Sequence, residues 1–372
     1  MNNYKTLHVF MEDRKVGTLA MAKNHVVAFA YDDQWINTGF SISPLSLPLE
    51  KRVFLPKGYE PFEGLFGVFS DSLPDGWGRL LVDRLLAREH IDPAGVNSLN
   101  RLAIVGASGM GALTYQPENR LNTGMTDMSL DQIAVECGKI FETRSSENLD
   151  ALFEMGGSSG GARPKVFYEM EGEEWIVKFP GSMDAPEIGQ QEYEYSLCAK
   201  KCGIEMPETR LLPSRMNSGY FAVKRFDREG SRRVFMISVS GLLETSHRIP
   251  NLDYNILMRL TMRLTRDYGE IEKLYRLMCF NVFAHNRDDH SKNFSFLYYG
   301  DRWHLSPAYD LTYSNSIGGE HATTVNGNGL NPGMEELLQV AGNIKLDRGK
   351  AKKIVLDIQE IVRSDLGRFL IK

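Results

Sequence analysis

The sequence predicts an α+β fold of two lobes, with an additional N-terminal β-rich subdomain and a mostly helical C-terminal lobe. Three observations predict it. Apolar and polar residues alternate from position 5, and strand patterns dominate to about residue 120. From about 151, short apolar runs alternate with glycine-rich and polar loops. Beyond Leu252 the apolar residues recur at helical spacing. The chain therefore divides into 1–120 (β-rich subdomain), 121–245 (small lobe) and 246–372 (helical lobe).

The elements follow in order. Leu7, Val9 and Met11 alternate with His8, Phe10 and Glu12, and Arg14–Gly17 reads as a turn and restart. Val26–Tyr31 is a buried strand. Ser41–Pro44 and Pro48 give an extended stretch, because proline disfavours helix just before it. Leu80, Leu81 and Leu85 open an amphipathic helix after Asp75-Gly76-Trp77. The cluster Gly106–Gly111 lacks the Lys-Ser/Thr of a P-loop and closes on a strand, Ala112–Tyr115, so it reads as a tight turn. Leu130, Ile133, Ala134, Cys137 and Ile140 mark a helix in the polar connector 118–150. Strands are expected at Leu152–Met155, Val166–Glu169 and Trp175–Phe179, with a flexible loop, Gly156–Lys165, between the first two. A helix over Glu187–Cys202 stops at Gly203. Strands near Thr209–Leu212 and Tyr220–Phe226 precede helices at Tyr254–Leu264, Ile271–Ala284 and Arg348–Leu370.

Bulk properties narrow the function. The 372 residues are 42% hydrophobic and 24% charged, with net charge −5 and mean hydropathy −0.30. No global basic field argues for direct nucleic-acid binding. Lys224, Arg225, Arg228, Arg232 and Arg233 form either a local basic patch or a solvated strand rim. Four scattered cysteines make no disulfide framework, and Cys198 and Cys202 read as buried thiols rather than a metal pair. The N-terminus has no apolar signal core, and no apolar run approaches the roughly 18 residues of a spanning helix. These features predict a cytoplasmic protein without a membrane partner.

The chemistry concentrates in two places. Strand, glycine-rich loop, strand, Lys-bearing strand and Glu-bearing helix is the order in which protein kinases build their small lobe, so the fold class is protein-kinase-like. Lys178 is the natural phosphate anchor, and Glu192 the Glu that orients it, with Glu194 as alternate. The loop residues Ser158, Ser159, Gly160, Gly161 and Ala162 would cover the phosphates. Downstream, Asp288 is placed to accept a hydroxyl proton or align the nucleophile. Lys292 would neutralise the γ-phosphate, while Asn293 and Asp310 offer hard oxygens to magnesium. A transition-metal hydrolase built on Asp288, Asp289 and His290 is the alternative chemistry. His247, His285, His304 and His321 read as packing or surface residues.

These residues resemble the HipA family, serine/threonine kinases that are toxins of bacterial toxin–antitoxin modules. The resemblance runs through Ser43–Leu49, Leu73–Gly76, Ser158–Lys165, Val177–Pro180, Lys224–Arg228, Asp288–Asn293 and Pro307–Asp310. It implies an enzyme dependent on ATP and Mg2+, with Lys224 and Phe226 in the hinge and His290 also at the nucleotide. It implies inhibitory autophosphorylation of a loop serine, Ser158 or its neighbour Ser159. It implies a small helix-turn-helix antitoxin of the HipB kind, through which DNA is reached indirectly. It also implies a translation-apparatus substrate, an aminoacyl-tRNA synthetase being the known kind. Lys224 replaces an acidic hinge residue of the best-known relative, which bears on nucleotide affinity. Two other readings are a catalytically weak corepressor of the antitoxin and a small-molecule phosphotransferase.

Overall fold

The computed structural model describes residues 4–119, 128–142, 148–158 and 160–370. The chain forms two compact units, one of Met1–Pro186 with Leu212–Ser246, the other of Glu187–Leu211 with His247–Lys372. The helix that bears Glu192 is thus grouped with the C-terminal helices, and not with the strands on either side of it in sequence.

In the first unit, β1 (Thr6–Met11), β2 (Arg14–Met21), β3 (Val27–Tyr31), β4 (Val53–Phe54) and β5 (Leu113–Gln116) make a sheet of order β4-β3-β2-β1-β5. Leu7 and Val9 are fully buried while their strand neighbours face out, as the alternation predicts; a bulge after Val9 then shifts the register. The helix Gly76–Arg88 presents Trp77, Leu81 and Leu85 to a core built with Ile133 and Cys137 from the helix Leu130–Phe141. That core is completed by β6 (Lys165–Met170), β7 (Glu173–Lys178) and, after β8 (Thr209–Leu212), β9 (Tyr220–Lys224), through Val166, Trp175, Val177 and Ala222. β7 pairs antiparallel with both β6 and β9, and β8 spans the point where the chain passes between units.

One expected strand is a helix. Leu152–Met155 lies inside the helix Leu149–Gly156. Leu149, Leu152 and Gly156 are buried at spacings of three and four, which is a helical face against the Trp77 core. A four-residue apolar run carries no period of its own, so its packing partner decided the conformation. The glycine-rich loop is therefore entered from a helix, and Lys178 sits on the second strand after that helix-to-loop passage rather than a third.

In the second unit, the helices Ile188–Lys201 and Tyr268–Phe283 both pack on the long helix Arg348–Leu370. Tyr195 fixes the first of them by donating to the Ala284 carbonyl at 2.8 Å. Gly203 closes the Ile188–Lys201 helix at φ +72°, a left-handed value that a side chain would strain. Two antiparallel strands, Ser295–Tyr299 and Arg302–Leu305, follow the Tyr268–Phe283 helix. Between helix and hairpin lies the loop 284–294. Among the described residues, no helix is long and apolar enough to cross a membrane.

Candidate active site

The loop after Phe283 is built by short-range bonds. The Asn286 amide caps back on the Asn281 carbonyl, and a 3-10 turn over Ser291–Asn293 is capped by His290. His290 Nδ1 accepts from the Lys292 amide at 3.2 Å, and its Nε2 lies 3.9 Å from Asp288 Oδ1. Asn293 Nδ2 donates to the Asp288 carbonyl at 2.7 Å. The Asp288 side chain is 60% exposed. Asp288, His290, Lys292 and Asn293, read from the sequence as reactive, thus share one loop whose backbone is fixed while Asp288 reaches solvent.

Asp310 has a left-handed backbone, φ +58°, uncommon for a residue with a Cβ. The preceding residue, Tyr309, donates to the Lys292 carbonyl at 2.7 Å and lies 2.6 Å from Ser295 Oγ. That bond fastens the chain entering Asp310 to the loop bearing Lys292 and Asn293. Glu192 is buried on its helix, whereas Glu194 is engaged by Gln190 and ion-paired with Arg368. His285 is half-buried, and burial, with Arg287 and His321 nearby, lowers its pKa below the ordinary imidazole value.

Asp289 is fully buried, with Oδ2 accepting from Tyr254 Oη at 2.9 Å and facing His321 Nδ1 at 3.0 Å. Oδ1 accepts from the Thr323 amide. Its oxygens are spent inside the protein, and among the described residues no three His, Cys, Asp or Glu side chains form a metal cluster. The hydrolase arrangement of Asp288, Asp289 and His290 is therefore absent from the described residues. The hard oxygens that could hold magnesium are those the sequence singled out, the Asn293 amide oxygen and the Asp310 carboxylate. Two hard protein oxygens suit an ion that keeps waters and takes the rest of its shell from phosphates.

In the first unit, Lys178 ends β7 directly opposite Lys165 of β6, and its Nζ lies 5.7 Å from the Phe221 ring centroid. The glycine-rich loop is held by the N-terminal subdomain. Ser158 is 7% exposed and donates to the Ser108 carbonyl at 2.8 Å. Gly161 donates to Asp75 Oδ1 and accepts from the Trp77 amide. Gly76 is at φ +45°, and a Cβ there would strike the Gly161 carbonyl. Gly160 is half-buried and Ala162 exposed; Ser159 lies outside the described residues.

The strand end and turn at Lys224–Arg233 resolve the basic cluster. Lys224 pairs with Glu173 at 2.9 Å, and Phe226 is half-buried. Arg225 and Arg228 are buried against Asp227, which also accepts from the Gly111 amide at 2.7 Å. Arg228 and Arg233 bond the carbonyls of Gly109 and Gly111, and Arg233 that of Ala107. These guanidiniums clamp the Gly106–Gly111 turn, which is the turn that holds Ser158. Only Arg232 and Lys224 of the five carry the solvated-rim character the sequence allowed. Sequence reasoning read Asp289 only as a ligand of the alternative metal site and His321 as a packing or surface residue, and gave Asp227 and Tyr309 no role of their own. The signal for Asp227 was its place between Arg225 and Arg228; the pairing of Asp289 with His321 gave none, the two being 32 residues apart.

Fold and site together define a kinase-like α+β protein with an added N-terminal β-rich subdomain. Residues 7–116 match the model of the HipA N-terminal domain, and 157–366 that of the HipA-like C-terminal domain. The chain belongs to the HipA family. It is 25% identical over 349 residues to "Putative kinase Y4mE" of Sinorhizobium fredii, covering 82% of this chain and 77% of that protein. HipA of Shewanella oneidensis MR-1, solved in complex with HipB and operator DNA, superposes with TM-score 0.72 at 17% identity. That likeness covers 98% of this chain and 91% of the other.

Proposed function

We propose that this chain is an ATP- and magnesium-dependent serine/threonine-protein kinase, the toxin of a toxin–antitoxin module. The observation that carries the reading is the Asn293–Asp288 bond beside an exposed Asp288 carboxylate. Asn293 commits its N–H to the loop, which leaves its oxygen for a metal. Asp288 accepts the proton of the attacking hydroxyl or aligns it, and Lys292 offsets charge on the γ-phosphate. Asn293 and Asp310 would hold magnesium, which would supply positive charge against the phosphate oxygens. Lys178 takes the α- and β-phosphates under the loop Ser158–Ala162, and the hinge at Lys224 and Phe226 takes adenine through backbone groups.

Ser158 is the autophosphorylation site in this reading. Its hydroxyl proton is spent on Ser108, and a phosphate would add nearly two negative charges to a buried position. The loop has to leave its seat, which switches the enzyme off. The partner is a small helix-turn-helix antitoxin like the HipB of the Shewanella complex, and DNA is contacted through it. The substrate is a cytoplasmic translation protein, an aminoacyl-tRNA synthetase by the family resemblance.

Asp288→Gln tests the reading. Growth arrest on expression should vanish while repression of the operon, with antitoxin present, persists. Arrest that survives the substitution refutes catalysis through Asp288 and favours the corepressor. Phosphoproteomics after brief induction identifies the substrate; ATP turnover with a metabolite and no labelled protein refutes a protein kinase.

A further inference from the structure

The strongest unassigned constellation lies behind the reactive loop. Three consecutive residues, His321, Ala322 and Thr323, make four bonds to Arg287–Asp289. The Ala322 amide donates to the Arg287 carbonyl at 3.0 Å. The Thr323 amide donates to Asp289 Oδ1 at 3.1 Å, and its hydroxyl to the Asp289 carbonyl. His321 Nδ1 faces Asp289 Oδ2 at 3.0 Å, and a carboxylate there makes that nitrogen the donor. Behind them, Asn281 Nδ2 donates to Tyr254 Oη at 2.9 Å, and Tyr254 donates to Asp289. His321 is 3% exposed; Asp289, Thr323 and Tyr254 are fully buried.

The segment has its own anchorage. Thr323 and Thr324 pair in parallel with Leu252 and Asp253, just ahead of the helix Tyr254–Thr265. The His321 amide donates to the Gly329 carbonyl at 2.8 Å. A buried carboxylate holding three side-chain and backbone donors is fixed far more firmly than an exposed one. Asp288 is the contrast: its side chain is 60% exposed, while its backbone carbonyl accepts from Asn293.

We infer that His321–Thr323 positions Asp288, with Asp289 and His321 as its positioning residues. The inference rests on the kinase reading of Asp288. Neither side chain touches substrate. Asp289 locks the peptide from which Asp288 projects, and His321 locks Asp289. Losing His321 leaves a buried carboxylate short of one donor, and the peptide relaxes. Loss of a partner that orients a reacting group costs about 10- to 100-fold in rate.

The test compares wild type, His321→Leu, His321→Asn and Asp289→Asn, using phosphate release from magnesium ATP. His321→Leu should lower kcat about 10- to 100-fold with KM for ATP within about twofold. His321→Asn keeps a donor where Nδ1 lies and should recover most of that loss. Unchanged kcat in a folded Leu variant overturns the inference, as does a rise in KM alone, or an Asn variant no better than Leu. If the Leu variant does not fold, Asp289→Asn decides on the same criteria. Hydrogen exchange of residues 288–293 separates this from the kinase reading. Exchange there should quicken at least tenfold in the variant; unchanged exchange overturns the positioning role. Faster exchange in a protein whose wild type turns over no ATP refutes the kinase and leaves the positioning intact.

Discussion

The side-chain amide of Asn293 donates to the backbone carbonyl of Asp288 at 2.7 Å, joining the residue assigned to the metal to the residue assigned to the proton. Replacing Asn293 removes both the donor and the metal-facing oxygen. Asn293→Ala should raise the magnesium concentration for half-maximal activity more than tenfold and lower kcat about 100-fold. The bond itself is exposed, so folding should lose only about 1 kcal/mol. A magnesium titration of phosphate release checks the first figure and urea unfolding the second. Full activity at ordinary magnesium would remove Asn293 from the site.

Tyr309 performs the corresponding task for Asp310. Its hydroxyl donates to the Lys292 carbonyl and lies within bonding distance of Ser295 Oγ, so one O–H group ties two segments together. Tyr309→Phe leaves a partly buried carbonyl without its donor, at a cost of about 1–3 kcal/mol. The unfolding midpoint should fall by several degrees and kcat several-fold, with the larger loss at low magnesium. Thermal unfolding followed beside the rate measurement decides it. An unchanged rate together with a lowered midpoint would reduce Tyr309 to packing.

Asp288, Asn293 and Asp310 could be proposed together because they lie within 25 positions and their loop makes its own local bonds, whereas Lys178 stands far off in sequence. Asp288, Asn293 and Asp310 needed no distant partner to be read. The strands of the N-terminal sheet were legible from the alternation of Leu7 and Val9 with polar neighbours. What stayed hidden depends on pairing across the chain. Leu152–Met155 was apolar without a period, and the Trp77 core made it helical. His321 meets Asp289 only because Thr323 pairs with Leu252 in a two-residue strand, too short to leave a pattern. Asp227 reads as one more charge in a basic run until the Gly111 amide, 116 residues away, is found beside it.

That buried Asp227 carries the third prediction. Burial alone would raise its pKa, but Arg225 and Arg228, with the Gly111 amide, outweigh this and hold it below the usual carboxylate range. A lowered folded pKa means stability that is full above the unfolded value and is lost as pH falls through the folded one. Asp227→Asn leaves Arg225 and Arg228 with the half-exposed Glu174 as their remaining counter-charge and should cost about 3 kcal/mol at pH 7. Because Arg228 and Arg233 also hold the 107–111 carbonyls, the Ser108 seat of Ser158 should loosen as well. Unfolding at pH 7 and below pH 3 checks the sign, with the gap between wild type and variant narrowing in acid. A gap independent of pH would mean that the charge on Asp227 contributes nothing.

Glu244 has the opposite sign. Both of its carboxylate oxygens accept from the Gly67 amide, at 3.0 and 3.1 Å, joining the short helix Val239–Leu243 to the N-terminal subdomain. Burial pushes its carboxyl from 4.5 up to about 7; the Gly67 amide and Ser46 pull it down, and Asp71 adds to the rise. A raised folded pKa gives stability that is complete below the unfolded value of 4.5 and is lost as pH rises towards about 7. Glu244→Gln keeps an oxygen for the Gly67 amide and removes the charge. The two proteins should unfold alike near pH 4, and the variant should be the more stable at pH 8 by on the order of 1–3 kcal/mol. Chemical denaturation at both pH values measures the difference. Parallel curves across that window would show that the Glu244 carboxylate is solvated in the folded chain, and a less stable variant at pH 8 would show that its charge is held by Lys57 instead.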